Sequence, residues 1–374
     1  MAGRRSPREY VGSIKDQIDQ KMALEKAARS GDPEAAVKLG ELLARFRQPK
    51  KARAAFEQAI ASGHPDYAPA AANGLGNLLR QAGDLDGARA AYQRAIASGR
   101  RESTLAGVLN LAGMLIEAGD TAGAKAVYQD AAGSGQLARP AVVLTKLAVL
   151  CHEIGDHDGA RAALRQAMNS GDPELARSAA SLLGDELRQQ GDNDGARAAY
   201  QRAVDGGRPG YPPTAAFNLA RILDEQRDTP GARAAYQLVI DSGHADHAPS
   251  AACDLGNMLS KQGDVDGARA AFQVAIDSGN PRQAGRAAVN LGNLLRRRGE
   301  EAGAERAYRL AADLGNPKGT LNLGVLYAGQ GRLDEARAAF QAAASSGDPE
   351  ARHAADRRLA ALDEVAQGAR FRPS

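Results

Sequence analysis

The chain has 374 residues, 43% hydrophobic but only 4% aromatic, and its 48 Lys and Arg stand against 45 Asp and Glu for a formal net charge of +3. A balance this even counts against a nucleic-acid reader, whose phosphate contacts need a basic surface. No apolar run reaches the about 18 residues of a membrane-spanning helix, and the start MAGRRSPREYVG lacks the apolar core of a secretory signal, so a cytoplasmic protein is expected.

In chain order, residues 1–14 read as a flexible basic arm. Residues 15–28 supply a half-repeat helix, with Leu24 at the place where later units carry Tyr or Phe. From there a pattern recurs every 36 residues: Phe56, Tyr92, Tyr128, Leu164, Tyr200, Tyr236, Phe272 and Tyr308 keep this step, and Phe340 follows after 32. Leu39, Leu75, Leu111, Leu147, Leu183, Leu219, Leu255 and Leu291 keep it too, and again end on a 32-residue interval, to Leu323. Two landmarks in one register over so long a stretch are the signature of a solenoid. The half repeat and nine units are expected to span 15–346 as one architectural domain, closed by a polar capping helix within 347–366, where Arg357 and Arg358 replace apolar positions. Residues 367–374 read as a disordered tail.

Each unit predicts two amphipathic helices. In the second unit Ala72, Leu75, Gly76 and Leu79 share one helical face, and after Gly83 the residues Ala88, Ala91, Tyr92 and Ala95 repeat the spacing. The turn G-D-x-D-G-A recurs at Gly83, Gly155, Gly191 and Gly263. Its first Gly can adopt the left-handed C-cap of the first helix, and its first Asp, such as Asp84, can accept from free amides of the second. A further Gly, at 63, 99, 135, 171, 207, 243, 279, 315 and 347, ends the second helix and is often followed by Pro. Twelve residues separate Gly63 from Leu75, but eight separate Gly31 from Leu39 and Gly315 from Leu323. The interior units therefore carry four additional residues, which are assigned to the loop between neighbouring repeats. Arg89, Arg161, Arg197, Arg269 and Arg337 each follow an acid by three residues (Asp86, Asp158, Asp194, Asp266, Asp334) and are expected to pair with it on a solvated outer face.

The order L-G-x-x-L, then G-D, then A-x-x-x-[YF]-x-x-A resembles the tetratricopeptide repeat family over residues 35–346. Two features depart from its pattern. The aromatic expected three residues before the Leu is small here (Ala36, Ala72, Ala216, Ala288), and the period exceeds the family's usual 34. The resemblance implies an all-α, right-handed superhelical solenoid whose first helices line a concave groove.

Catalytic constellations are absent from the pattern. His64, His152, His157, His244, His247 and His353 are scattered along the chain over several units. His244 and His247 form an H-x-x-H pair without a third ligand nearby, so no metal is expected. The G-D-x-D-G turn lacks the Lys-[ST] of a phosphate loop and the length of a calcium loop. Neither a catalytic residue nor a cofactor is expected, and Cys151 and Cys253, three units apart, cannot bridge.

The informative positions lie off the packing face of each first helix. Asn77, Asn110, Asn218, Arg221, Asn257, Asn290, Asn293, Lys318 and Asn322 occupy them. The resemblance implies that such asparagines hold the backbone of an extended peptide, and a side-chain amide does offer both a donor and an acceptor to a peptide group. With Arg286, Arg296, Arg297 and Lys318 close by, the last units resemble part of a clamp for a C-terminal carboxylate, although Cys253 and Asn322 stand where that clamp has bases. The expectation is a non-enzymatic scaffold or adaptor whose partner is a peptide or helix, acidic or ending in a free carboxylate. A peptide sensor working by curvature change or self-association is the alternative, ahead of an RNA-binding helical repeat. The N-terminal half repeat has no cap, which leaves Met22 and Leu24 open to a second copy of the chain and offers a route to homo-oligomers. The longer inter-repeat segments, with Tyr67, Tyr211 and His247, are read as spacers.

Overall fold

The protein is described by a computed structural model over residues 7–205 and 212–370, with no side-chain description for 7–17 and 365–370. Of the arm at 1–14 and the tail at 367–374, residues 1–6 and 371–374 lie outside the described residues, as do Gly207 and Tyr211, while residues 7–14 and 367–370 are helical. The described residues form twenty α-helices and no strand, and no helix is long and apolar enough to cross a membrane. They gather into two compact units, Met1–Gln190 and Gly191–Ser374.

The first unit holds α1 (Pro7–Arg29), α2 (Pro33–Arg45), α3 (Pro49–Ala61), α4 (Tyr67–Gln81), α5 (Leu85–Ala97), α6 (Arg101–Glu117), α7 (Thr121–Gly133), α8 (Pro140–Glu153), α9 (His157–Met168) and α10 (Pro173–Gln189). The second holds α11 (Asn193–Val204), α12 (Pro213–Glu225), α13 (Thr229–Asp241), α14 (His247–Gln262), α15 (Val265–Ile276), α16 (Pro281–Arg297), α17 (Glu301–Asp313), α18 (Pro317–Gly329), α19 (Leu333–Ala344) and α20 (Pro349–Arg370). Within each unit every helix packs on the next, and each even-numbered helix also touches the even-numbered one before and after it. The even-numbered helices are the first helices of the repeats, so within each unit they make a layer of their own.

The periodic landmarks are the core. Tyr92, Tyr200, Tyr236, Tyr308, Phe56, Phe272 and Phe340 are fully buried among alanines such as Ala88, Ala268 and Ala304. Small residues let the helices close on these rings: a Cβ built on Gly76 would meet the Tyr92 ring at 2.4 Å, and one on Gly256 the Phe272 ring at 2.6 Å. The turns also form as the sequence predicts. Gly83, Gly155, Gly191 and Gly263 have φ between 77 and 83°, and Asp84, Asp156, Asp192 and Asp264 each accept from the third backbone N–H of the helix that follows. Arg47 and Arg227 occupy the same turn register with φ of 55° and 62°. A non-glycine residue in this region costs about 1–2 kcal/mol, so Arg227→Gly should raise stability by about 1 kcal/mol, read as a higher urea midpoint at unchanged m-value. An unchanged or lower midpoint would refute the strain argument.

Two expectations are corrected. In three interior units the four additional residues do not form a longer loop but add a turn to the start of the first helix, whereas α8 and α12, with 14 and 13 residues, keep most or all of them before the helix as the sequence reading expects. α6, α10 and α16 have 17 residues where α2 and α18 have 13. Pro173 and Pro281 open their helices soon after the capping Gly, because a ring-fixed φ and a missing N–H suit the first helical position.

The arginine stripe pairs mainly between repeats. Arg161 reaches Asp158, but Arg197 pairs with Asp228 at 3.0 Å, Arg269 with Glu300 at 3.0 Å and Arg337 with Asp363 at 2.6 Å. Lys125–Asp156 at 2.6 Å and Arg233–Asp264 at 3.5 Å follow the same rule. The acid is often the helix cap of the next repeat. Asp156 receives the Gly159 N–H on Oδ1 and Lys125 on Oδ2, and Asp228 receives Gly231 and Arg197 likewise. A carboxylate already fixed by a cap loses little further freedom on accepting a second donor, whereas an exposed i,i+3 partner must be ordered for that contact alone.

Candidate functional site

In the second unit a run of hollows lies along α12, α14, α16 and α18. Successive first helices approach closely here, and their off-core side chains face one another one repeat apart. A cavity of about 530 Å³ is bounded by Phe217, Arg221, Asp224, Tyr236, Lys261 and Arg286, among others. Two further hollows, of about 420 and 210 Å³, share Asn257 and Asn290 as walls, and Asp254 and Arg286 are common to the first two. The three form one groove.

The groove's amides are linked across repeats. Asn290 Nδ2 donates to Asn257 Oδ1 at 2.9 Å, and Asn322 Nδ2 donates to Asn293 Oδ1 at 3.2 Å. Asn293 Oδ1 also accepts from the Tyr308 hydroxyl at 2.7 Å. Asn77 does the same for Tyr92 at 2.8 Å, and Asn218 Nδ2 donates to the Tyr200 hydroxyl at 3.3 Å. Several of these asparagines therefore satisfy core tyrosines, a role that the sequence pattern does not separate from ligand binding. In the groove Asn257 Nδ2 and Asn290 Oδ1 have no hydrogen-bond partner among the described residues.

The basic residues divide into engaged and open. Arg286 pairs with Asp254 and donates from Nε to Cys253 Sγ at 3.0 Å. Arg297 donates to Ser260 at 2.9 Å, and Lys318 lies 3.6 Å from Glu350. Arg221 and Lys261 line the cavity and form no ion pair among the described residues. Burial raises the Asp254 carboxyl above the ordinary carboxylate range, and the Arg286 guanidinium offsets this only in part. Burial likewise pushes up the Cys253 thiol, and both cysteines are buried and unbridged.

Of the nine groove residues read from the sequence, Asn218, Arg221, Asn257, Asn290, Asn293, Lys318 and Asn322 fall in the second unit. Asn77 and Asn110 lie half-buried on α4 and α6 of the first. Sequence reasoning missed Lys261, which stands six residues after Leu255 as Arg297 does after Leu291; that spacing is the signal that would have found it. His244 Nδ1 accepts from the backbone of Asp246 at 3.3 Å, and His247 Nε2 contacts Thr214 Oγ1 at 3.0 Å. The His247 ring stacks on Phe217 at 5.9 Å, and burial lowers its pKa.

Comparison with solved structures finds similar helix-pair arrays. A protective antigen present in uropathogenic Escherichia coli strains, displaying an SLR fold, matches with 19% identity over 95% of this chain and 82% of that one, at a TM-score of 0.46. A Sel1 repeat protein from Oxalobacter formigenes matches with 18% identity over 89% and 88%, at 0.46. The C-terminal part of a TPR repeat-containing protein from Cytophaga hutchinsonii matches with 15% identity over 65% and 97%, at 0.47. No curated protein matches. Family models described as tetratricopeptide repeat cover residues 37–103, 253–318 and 317–342, and one described as a tetratricopeptide repeat-like domain covers 103–219. Together with the buried 36-residue landmarks, these matches along the length of the chain make it a member of the tetratricopeptide repeat family.

Proposed function

We propose that the protein is a non-enzymatic scaffold whose second unit holds an extended peptide with acidic side chains or a free carboxylate. A tetratricopeptide repeat fold is typically a protein-interaction scaffold. The observation that carries the finer reading is the pairing of two open cations, Arg221 and Lys261, with the linked amides Asn257 and Asn290 in one groove. The amides suit a peptide backbone of any sequence, and the cations suit a carboxylate. Phe217 supplies apolar surface beside them.

The test is panning of a peptide library on the purified full chain, followed by affinity measurement for the enriched peptides. Acidic peptides should be enriched, and Arg221→Glu with Lys261→Glu should weaken them by about 10-fold or more per site, since a charged hydrogen bond contributes about 1.5–3 kcal/mol. Enrichment of peptides without acids, or equal binding by the charge-reversed variant, would rule the reading out.

A further inference from the structure

In every other unit the residue three places after the landmark Leu is a large aliphatic one: Leu42, Leu78, Met114, Leu150, Ile222, Met258, Leu294 and Leu326, all buried. In the fifth unit it is Glu186, whose side chain is 5% exposed. A carboxylate in a core register is costly unless it is paired. The partners are two histidines: His152 Nδ1 lies 2.6 Å from Oε2 and His157 Nδ1 2.7 Å from Oε1. Gln190 Nε2 donates to Oε1 at 2.7 Å. Burial pushes the Glu186 carboxyl up, but the two imidazoles outweigh it and hold the group below its ordinary value.

Three separate helices fix this cluster. His152 sits in the last turn of α8, His157 is the first residue of α9 beside its cap Asp156, and Glu186 is on α10. One ligand atom from each residue lies within 4.8 Å of the others. Tetrahedral coordination at bonds of about 2.0–2.2 Å needs ligand atoms about 3.4 Å apart, so a small outward rotation of two half-exposed rings opens the cluster to that size. Two imidazoles and one carboxylate form a donor set suited to a borderline-soft divalent ion, and they leave one position open. Beside them is a cavity of about 260 Å³ walled by Val149, Leu164, Leu182 and others, with His152 and Glu186 on its lining. Leu164 stands where most units carry Tyr or Phe, and its smaller side chain leaves this space.

We infer that His152, His157 and Glu186 form a binding site for one zinc-type divalent ion, with its fourth position facing the cavity. The ion neutralises the buried carboxylate and ties α8, α9 and α10 together. The two imidazoles then ligate through the nitrogens that now face Glu186, and each ring carries its proton on the other nitrogen.

The test uses the full chain stripped of metal with a chelator and titrated with zinc by calorimetry and with cobalt by visible absorption. Wild type should take up one equivalent, show the intense absorption of tetrahedral cobalt, and melt at a higher temperature with zinc. Glu186→Leu restores the side chain type of the other units and should keep the helical circular dichroism while losing all three signals. His152→Ala with His157→Ala changes only half-exposed rings, and carries the test if the Leu variant does not fold. No saturable uptake by wild type, or uptake unaltered in these variants, would overturn the site and leave a hydrogen-bonded clamp around a buried acid.

Discussion

Tyr308→Ala should lower the unfolding free energy by about 3–5 kcal/mol, the range for truncating a large aromatic in a tight core. The ring is fully buried, its edge meets the face of Gly292, and its hydroxyl donates to Asn293 at 2.7 Å. Gly292 cannot grow to fill the space, so the cavity stays. Tyr308→Phe separates the contributions, because it keeps the ring and loses only the hydrogen bond, worth about 1 kcal/mol. Chemical denaturation of wild type and both variants gives the comparison. Equal losses for Ala and Phe would mean that the hydroxyl network, and not ring packing, holds this repeat.

Gly319→Ala should destabilise although it replaces glycine in a helix. Helix propensity alone favours the change by about 1 kcal/mol. Against it, the new Cβ would lie 2.4 Å from Ala311 Cβ and 3.1 Å from the backbone of Ala311 and Ala312. No flexible tip stands there to swing away, so α17 and α18 would have to separate, and overpacking of this kind costs about 1–3 kcal/mol. The short junction explains the closeness: Gly315 and Leu323 are eight residues apart where interior units have twelve. Gly113→Ala is the opposite case, within α6 and with nothing inside 4 Å of the added methyl, and should stabilise by about 0.5–1 kcal/mol. Thermal melts of the two single variants shifting in the same direction would show that contact distance does not decide the sign.

The helix pairs were legible because they rest on local chemistry repeated many times. Period, cap and turn all report the same register, and errors at one unit are corrected by its neighbours. The added turn of α16 was misplaced into a loop because eight or twelve residues after a glycine read alike until it is known whether Pro281 starts the helix. The groove asparagines stood out as polar residues at fixed offsets, but Asn293 serves Tyr308 as well as the surface, and no spacing rule distinguishes the two uses. The His152–His157–Glu186 cluster escaped because Glu186 lies 34 and 29 residues from the two histidines, in the next repeat. It was visible nonetheless as a break in register, since Glu186 falls where eight other units place an aliphatic side chain. In a repeat protein the departures from pattern carry as much chemical information as the pattern.

The shared aspartates have a consequence for how such an array comes apart. Asp156 and Asp228 each use one carboxylate oxygen to begin a helix of their own repeat and the other to hold a base of the repeat before. A repeat that lets go of its neighbour thus also frees the side chain that starts that neighbour's second helix. Local order and stacking are gained or lost through the same atoms, which raises nearest-neighbour cooperativity above what apolar contact alone gives. Within each compact unit, fraying that reaches one such aspartate passes to the next repeat, so the helices there behave as links of a zip more than as beads on a string.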